Sequence, residues 1–120
     1  MKNRLKSFGY ALNGLREVIK SEMNMRIHLL AAFAVIIMGL VYSINWVEWM
    51  FVIICIVLVL SAEIANTIVE RYLDMFHPEI QPRIGVLKDM AAAVVLVVSL
   101  FSFIIGLIIF SPKVLAFLAL

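Results

Sequence analysis

Trp49–Asp74 reads WMFVIICIVLVLSAEIANTIVERYLD, and this stretch decides the fold. From Trp49 to Ala62 it carries no charge; Glu63, Asn66, Thr67, Glu70 and Asp74 then follow with no proline or glycine to interrupt a helix. At about 100° per residue, those five side chains fall within an arc of about 100° on one helix face. An ionised carboxylate in hydrocarbon costs about 3 kcal/mol or more unless it is paired, hydrated or metal-bound. A membrane helix that keeps such a stripe has a use for it. The stretch is therefore read as a transmembrane helix ending in a functional site at the membrane surface.

Composition gives the setting. Of 120 residues, 65% are hydrophobic and 15% charged, with a mean hydropathy of +1.11. Soluble domains run at about 45–50% apolar and about 25% charged, so an integral membrane protein is expected. The length suits one domain, residues 1–120, with chemistry built from membrane helices and short loops rather than from a separate soluble module. Cys55, the only cysteine, lies in mid-span and leaves no intrachain disulfide to form. The first long apolar run starts near Ile27 and lacks a small-residue cleavage site after it, so no cleavable signal peptide is expected. Nothing points to a nucleic-acid partner.

Three segments are long and apolar enough to cross a bilayer core of about 30 Å: 27–44, 46–69 and 90–110. Tyr42, Trp46, Trp49 and Tyr72 fall near their ends, where amphipathic rings favour the headgroup zone. Lys2, Arg4, Lys6, Arg16, Lys20 and Arg26 precede the first span, none lies between Ser43 and Glu48, the second loop holds Arg71, Arg83 and Lys88, and the tail has only Lys113. The positive-inside rule then predicts a cytoplasmic N-terminus and second loop, which puts Glu70, Asp74, Lys88 and Asp89 on the face where ATP is found. Ahead of the first span, residues 1–26 carry Leu5, Phe8, Leu12, Leu15, Ile19 and Met23 at three- and four-residue intervals. That is the pattern of an amphipathic helix lying in the interface. Pro78, Pro82 and Gly85 mark a turn from Phe76 to Gly85.

Glu22, Glu70 and the Lys88-Asp89 pair are expected at one depth on one side of the membrane. Carboxylates from two helices suit Mg²⁺, which takes one or two protein oxygens together with water and substrate phosphates. A lysine beside them can neutralise a transferring phosphate, so the set fits phosphoryl transfer. Glu63 lies nearly two turns deeper, where a carboxylate could take the proton of a lipid hydroxyl that never leaves the bilayer. Neither a Walker loop nor G-x-G-x-x-G is present, so an ATP site must be assembled otherwise.

Plainer roles compete with these. Glu63 and Asn66 could bond across a helix interface without chemistry, and Glu22 with Arg26 could form only an i, i+4 ion pair. His28 and His77 lack metal-ligand spacing and read as interfacial side chains. Cys55 reads as a small apolar filler, and Ala92, Ser99 and Gly106, with Ser102 nearby, as a close-packing stripe.

The run Glu63-Ile64-Ala65-Asn66-Thr67-Ile68-Val69-Glu70, then Asp74, then Lys88-Asp89-Met90-Ala91-Ala92, resembles the signature of the small prokaryotic diacylglycerol kinase and undecaprenol kinase family. Gly9-Tyr10, Gly14-Leu15-Arg16, Glu22 with Asn24, Arg26 and His28, and Gly106 through Lys113 extend the likeness over nearly the whole chain. The resemblance implies an ATP- and Mg²⁺-dependent lipid kinase of the prokaryotic cytoplasmic membrane. It also implies an all-α fold with one amphipathic surface helix and three membrane helices per subunit, assembled as a homotrimer with shared active sites. By motif position it makes Glu63 the catalytic base, Asn66 a support for the reacting groups, and Glu22 and Glu70 the Mg²⁺ ligands. Lys88 and Asp89 would contact the nucleotide, Tyr10 would lie near ATP, and Glu79 would join from the loop. The Asn24-Arg26-His28 pattern, His77-Pro78 and the Phe110-Ser111-Pro112-Lys113 ending look more like the undecaprenol branch than the diacylglycerol branch.

Two positions depart from the family. Ile68 stands where alanine is usual and Ala93 where glycine is common, adding bulk where helices should approach closely. The rival readings are a small proton-coupled transporter subunit with Glu63 as its relay, and a helical scaffold for another membrane enzyme.

Overall fold

The computed structural model describes residues 2–119. Residue 1, at the head of the expected 1–26 surface segment, and residue 120, at the end of the expected 1–120 domain, lie outside them. Four helices follow in order: α1 Lys2–Ser21, α2 Met23–Val41, α3 Trp46–Phe76 and α4 Pro82–Leu118. The last three are long and apolar enough to cross a membrane.

α1 and α2 are separated by one residue. Glu22 takes an extended conformation (φ −110°, ψ 116°) and caps α2 through its backbone alone. Helix ends leave carbonyls without intrahelical partners. Here Arg26 reaches back from α2 and donates to the carbonyl oxygens of Ile19 (3.0 Å) and Lys20 (2.7 Å). The competing Glu22–Arg26 ion pair does not form: the Arg26 N–H donates to the Glu22 carbonyl (3.4 Å), but its guanidinium closes the end of α1 instead.

The turn from α2 to α3 is built from local hydrogen bonds. Ser43 sits in the left-handed region at φ 49°. Its N–H donates to the Leu40 carbonyl (3.3 Å), and that of Ile44 to Gly39 (3.1 Å). This is a Schellman ending, in which a left-handed residue lets the chain satisfy the last carbonyls of the helix. Asn45 then starts α3 with a capping box. Its side chain accepts from the Glu48 N–H (2.9 Å), and the Glu48 carboxylate accepts from the Asn45 N–H (3.1 Å). At the other end of α3, the connection to α4 is only His77–Gln81. Pro82 does not prolong this loop, because it occupies the first turn of α4, where its missing N–H has no partner to lose.

α3 is the centre of the chain. α2 and α4 each pack against it, α1 touches both α2 and α3, and among the described residues α2 and α4 make no close backbone approach to each other. The buried residues of α3 include Val52, Cys55, Ala62, Glu63, Asn66, Thr67 and Leu73. The polar stripe is thus a continuation of the apolar face that α3 turns to its neighbours. Towards the α2–α3 turn, Ile44, Val52, Ile109 and Phe110 form a buried cluster. The Tyr42 and Phe110 rings close over this end, with centroids 6.4 Å apart. Large apolar side chains such as Phe33, Leu58, Val97 and Ile108 face outward, as hydrocarbon permits and water does not.

Thirty-seven residues give α4 a length of about 55 Å, well beyond a ~30 Å hydrocarbon core. Its opening turns, with Arg83, Lys88 and Asp89, continue the helix past the expected 90–110 span, and α3 likewise continues to Phe76.

Candidate active site at the polar end of the groove

Burial along the α3 stripe falls off in order. Glu63 is 2% exposed, Asn66 and Thr67 are buried, Glu70 is half-buried and Asp74 is exposed. The Thr67 hydroxyl donates to the Glu63 carbonyl oxygen at 3.0 Å. This bond between residues four apart satisfies the hydroxyl and leaves the Glu63 carboxylate free of it. Asn66 Nδ2 donates to Glu70 Oε1 at 3.4 Å, while Asn66 Oδ1 is buried with no hydrogen-bond partner. Leaving such an acceptor unsatisfied costs about 1–3 kcal/mol, so a ligand that fills it is favoured.

Glu22 enters from the α1–α2 joint. Arg71 of α3 places its guanidinium 3.6 Å from Glu22 and 3.4 Å from Glu17, and also hydrogen-bonds the Ser21 hydroxyl. Thus a cation spans three acceptors at the end of α1 and ties it to α3. The Glu22 and Glu70 carboxylates both lie within Coulomb range of Glu63.

The partner of Glu63 is His28 of α2, whose Nε2 stands 3.5 Å from Glu63 Oε2. Sequence reasoning placed His28 in the interface, but the structure places it against the deepest carboxylate of the chain. No local spacing could have signalled this, because the two residues lie on different helices.

From His28 an apolar cavity of about 400 Å³ runs along the gap between α2 and α4, floored by α3. Cys55, Val59, Ser99, Gly106 and Phe110 are among its walls. Ser99, Ser102 and Gly106 therefore line the cavity, although the Ser99 hydroxyl oxygen is itself buried with no hydrogen-bond partner. A Cβ built on Gly106 would meet no atom within 4 Å.

The remaining expected site residues are spread around this centre. Lys88 of α4 is bound by Asp74 at 2.5 Å, which staples α4 to the end of α3. Glu79 is exposed and pairs with His77 at 3.6 Å. Tyr10, 71% exposed, and Asp89, also exposed, make no hydrogen bond or ion pair with Glu63 or Glu70 among the described residues. Nor do three or more His, Cys, Asp or Glu side chains converge as a metal cage among those residues. Ile68 is 61% exposed and Ala93 lies on an outward face, so neither departure crowds a helix of its own chain.

The donor set is all hard oxygen: the Glu22 and Glu70 carboxylates and the buried, orphaned Asn66 amide oxygen. That chemistry fits Mg²⁺, which needs few protein ligands when phosphates supply the rest. One carboxylate, Glu63, stands apart, buried against the His28 that lines one end of an apolar groove. A long apolar molecule with its tail in the groove would bring a polar end to the His28 side, next to that carboxylate.

Two comparisons agree with this arrangement. The sequence profile of the family described as Prokaryotic diacylglycerol kinase matches residues 9–110. Over 108 residues the chain is 38% identical to the Undecaprenol kinase of Bacillus subtilis (strain 168), covering 90% of this chain and 88% of that protein. With three membrane-spanning helices around one buried carboxylate, this chain belongs to the prokaryotic diacylglycerol kinase family and is a multi-pass membrane lipid kinase.

Proposed function

We propose that the chain transfers the γ-phosphate of ATP, with Mg²⁺, to the hydroxyl of a membrane lipid at the cytoplasmic face of a prokaryotic inner membrane. The observation that carries this reading is the position of Glu63. It is buried against His28, which lines one end of an apolar groove, with further oxygen ligands one to two turns nearer the surface. In this scheme the lipid tail lies in the groove and its hydroxyl meets Glu63. The carboxylate takes the hydroxyl proton as the lipid oxygen bonds to the γ-phosphorus, and the bond to the leaving ADP oxygen breaks.

Glu22 and Glu70 would hold Mg²⁺, and the Asn66 amide, already bonded to Glu70, would hold that carboxylate in place. The ion would supply charge neutralisation on the transferring phosphate. Lys88 would bind the nucleotide in competition with Asp74, its present partner. Asp89, Tyr10 and Glu79 complete the nucleotide contacts in this proposal, and their exposed positions leave them accessible to a soluble ligand. Undecaprenol is the preferred acceptor over diacylglycerol, supported by the similarity to an undecaprenol kinase. The cytoplasmic N-terminus rests on the distribution of basic residues. α1 would lie in the interface, its exposed Leu5, Phe8 and Leu12 turned to lipid. The functional unit would be a homotrimer.

The test is an assay of the purified protein in mixed micelles with Mg²⁺ and γ-labelled ATP, offering undecaprenol and diacylglycerol separately and in competition. Label in a lipid, abolished by chelating the metal, is the expected result, with undecaprenol the more efficient acceptor. No label in either lipid, from folded protein, refutes the proposal.

A further inference from the structure

We infer that His28 is a positioning residue for Glu63, holding one carboxylate oxygen so that the other faces the acceptor hydroxyl. The inference deepens the kinase reading above and rests on it.

Glu63 has few other means of being oriented. Thr67 spends its hydroxyl on the Glu63 backbone carbonyl, and Asn66 spends its amide N–H on Glu70. Among the described Lys, Arg and His side chains, His28 alone brings a nitrogen within 4 Å of the Glu63 carboxylate. The like charges of Glu22 and Glu70 act on the same carboxylate, and repulsion from that side favours rotation about its last side-chain bonds. A proton on Nε2, which stands 3.5 Å from Oε2, opposes this and leaves Oε1 unengaged. His28 is also accessible: its side chain is 21% exposed and lines the groove, whereas Glu63 is almost fully enclosed. The 3.5 Å separation is long for a hydrogen bond. Catalytic contacts of this kind tighten when substrate fills the site.

Position supports the same role. His28 follows the Glu22 joint by about one and two-thirds turns of helix. The contact therefore fixes α2 against α3 at the depth of the buried carboxylate, while Arg71 fixes the joint itself one level higher.

The test measures steady-state transfer from γ-labelled ATP to undecaprenol and to diacylglycerol in mixed micelles for wild type, His28→Ala and His28→Gln. Loss of one hydrogen bond to a charged group at the reacting centre corresponds to about a 10- to 100-fold loss of rate. His28→Ala should lower kcat by that factor with the KM for ATP within about twofold of wild type. His28→Gln places an amide N–H near the position of Nε2 and should restore most of kcat. If His28→Ala does not fold, as judged by its helical circular dichroism, His28→Asn replaces it. Its shorter amide cannot reach Oε2 and should be as impaired. Unchanged kcat in the Ala or Asn variant, or a Gln variant no better than them, overturns the role of His28 alone. A loss expressed only in the KM for ATP overturns it too. Wild-type protein that labels neither lipid overturns the kinase reading and this inference with it.

Discussion

Glu63→Gln isolates the proposed base from everything else the residue does. The substitution conserves volume, so no cavity opens at a site only 2% exposed. The Thr67 hydrogen bond survives because it ends on the backbone carbonyl. A glutamine oxygen can still accept from His28, and removing one negative charge relieves repulsion from Glu22 and Glu70. Stability should therefore hold or rise slightly. What disappears is proton acceptance. A positioned general base contributes about 10²- to 10⁴-fold, or about 2.7–5.4 kcal/mol of barrier at 1.36 kcal/mol per decade. Label transfer from γ-labelled ATP to undecaprenol should fall by that factor, with thermal unfolding in micelles and the KM for ATP near wild type. A folded variant that turns over within tenfold of wild type would refute the assignment. The proton would then have to leave by another group, and the burial of Glu63 would need a purely structural account.

Glu70→Gln keeps the acceptor for Asn66 and removes the charge, so the Mg²⁺ concentration giving half-maximal rate should rise about 10- to 100-fold; an unchanged metal titration would remove Glu70 from the ligand set. Gly39→Ala would bring a Cβ within 2.6 Å of Trp49 Cη2 and 2.9 Å of Cζ2. Overpacking of about 1–3 kcal/mol outweighs a helix-propensity gain of up to about 1 kcal/mol, so the unfolding temperature should drop, and a rise would contradict the packing. Gly106→Leu projects into the groove where nothing stands within 4 Å. The KM for the lipid should increase several-fold with that for ATP unchanged, whereas an unchanged lipid KM would move the acceptor tail elsewhere.

The α3 stripe was legible because helical periodicity carried it: one uninterrupted helix keeps Glu63, Asn66, Thr67, Glu70 and Asp74 on one face. Helix ends were less so. Proline and glycine at 82 and 85 read as loop, yet proline is at home in a first helical turn, and Gly85 lies in a helix already under way. The break at Glu22 carries no glycine or proline and is secured by the Arg26 side chain instead. Contacts between helices left no mark at all. Neither the His28–Glu63 pair nor the span of Arg71 across Glu17, Ser21 and Glu22 has a local spacing that announces it. The groove carries no local mark either: small residues on a membrane helix read as a close-packing stripe, and within this chain α2 makes no close approach to α4 among the described residues.

The direction of the groove separates a kinase from a proton relay that also centres on Glu63. A relay needs exchangeable groups within hydrogen-bond reach from one membrane face to the other. On the Glu70 side polar groups continue towards the surface through Asn66, Glu70 and Glu22, with Asn66 bonded to Glu70 at 3.4 Å. Towards the α2–α3 turn the groove offers two hydroxyls, Ser99 and Ser102, and the second is committed to the Val98 carbonyl at 2.7 Å. Beyond them come Ile105, Val52, Ile109 and Phe110, sealed by Ile44 and the Tyr42 ring. The charges at that far end, Glu48 and Lys113, neutralise each other at 3.2 Å instead of facing inward. Glu63 thus has polar access from one side and an apolar dead end on the other. A proton reaching it returns by the route it came, which suits a carboxylate that deprotonates a lipid held in the dead end and passes the proton back to the aqueous face.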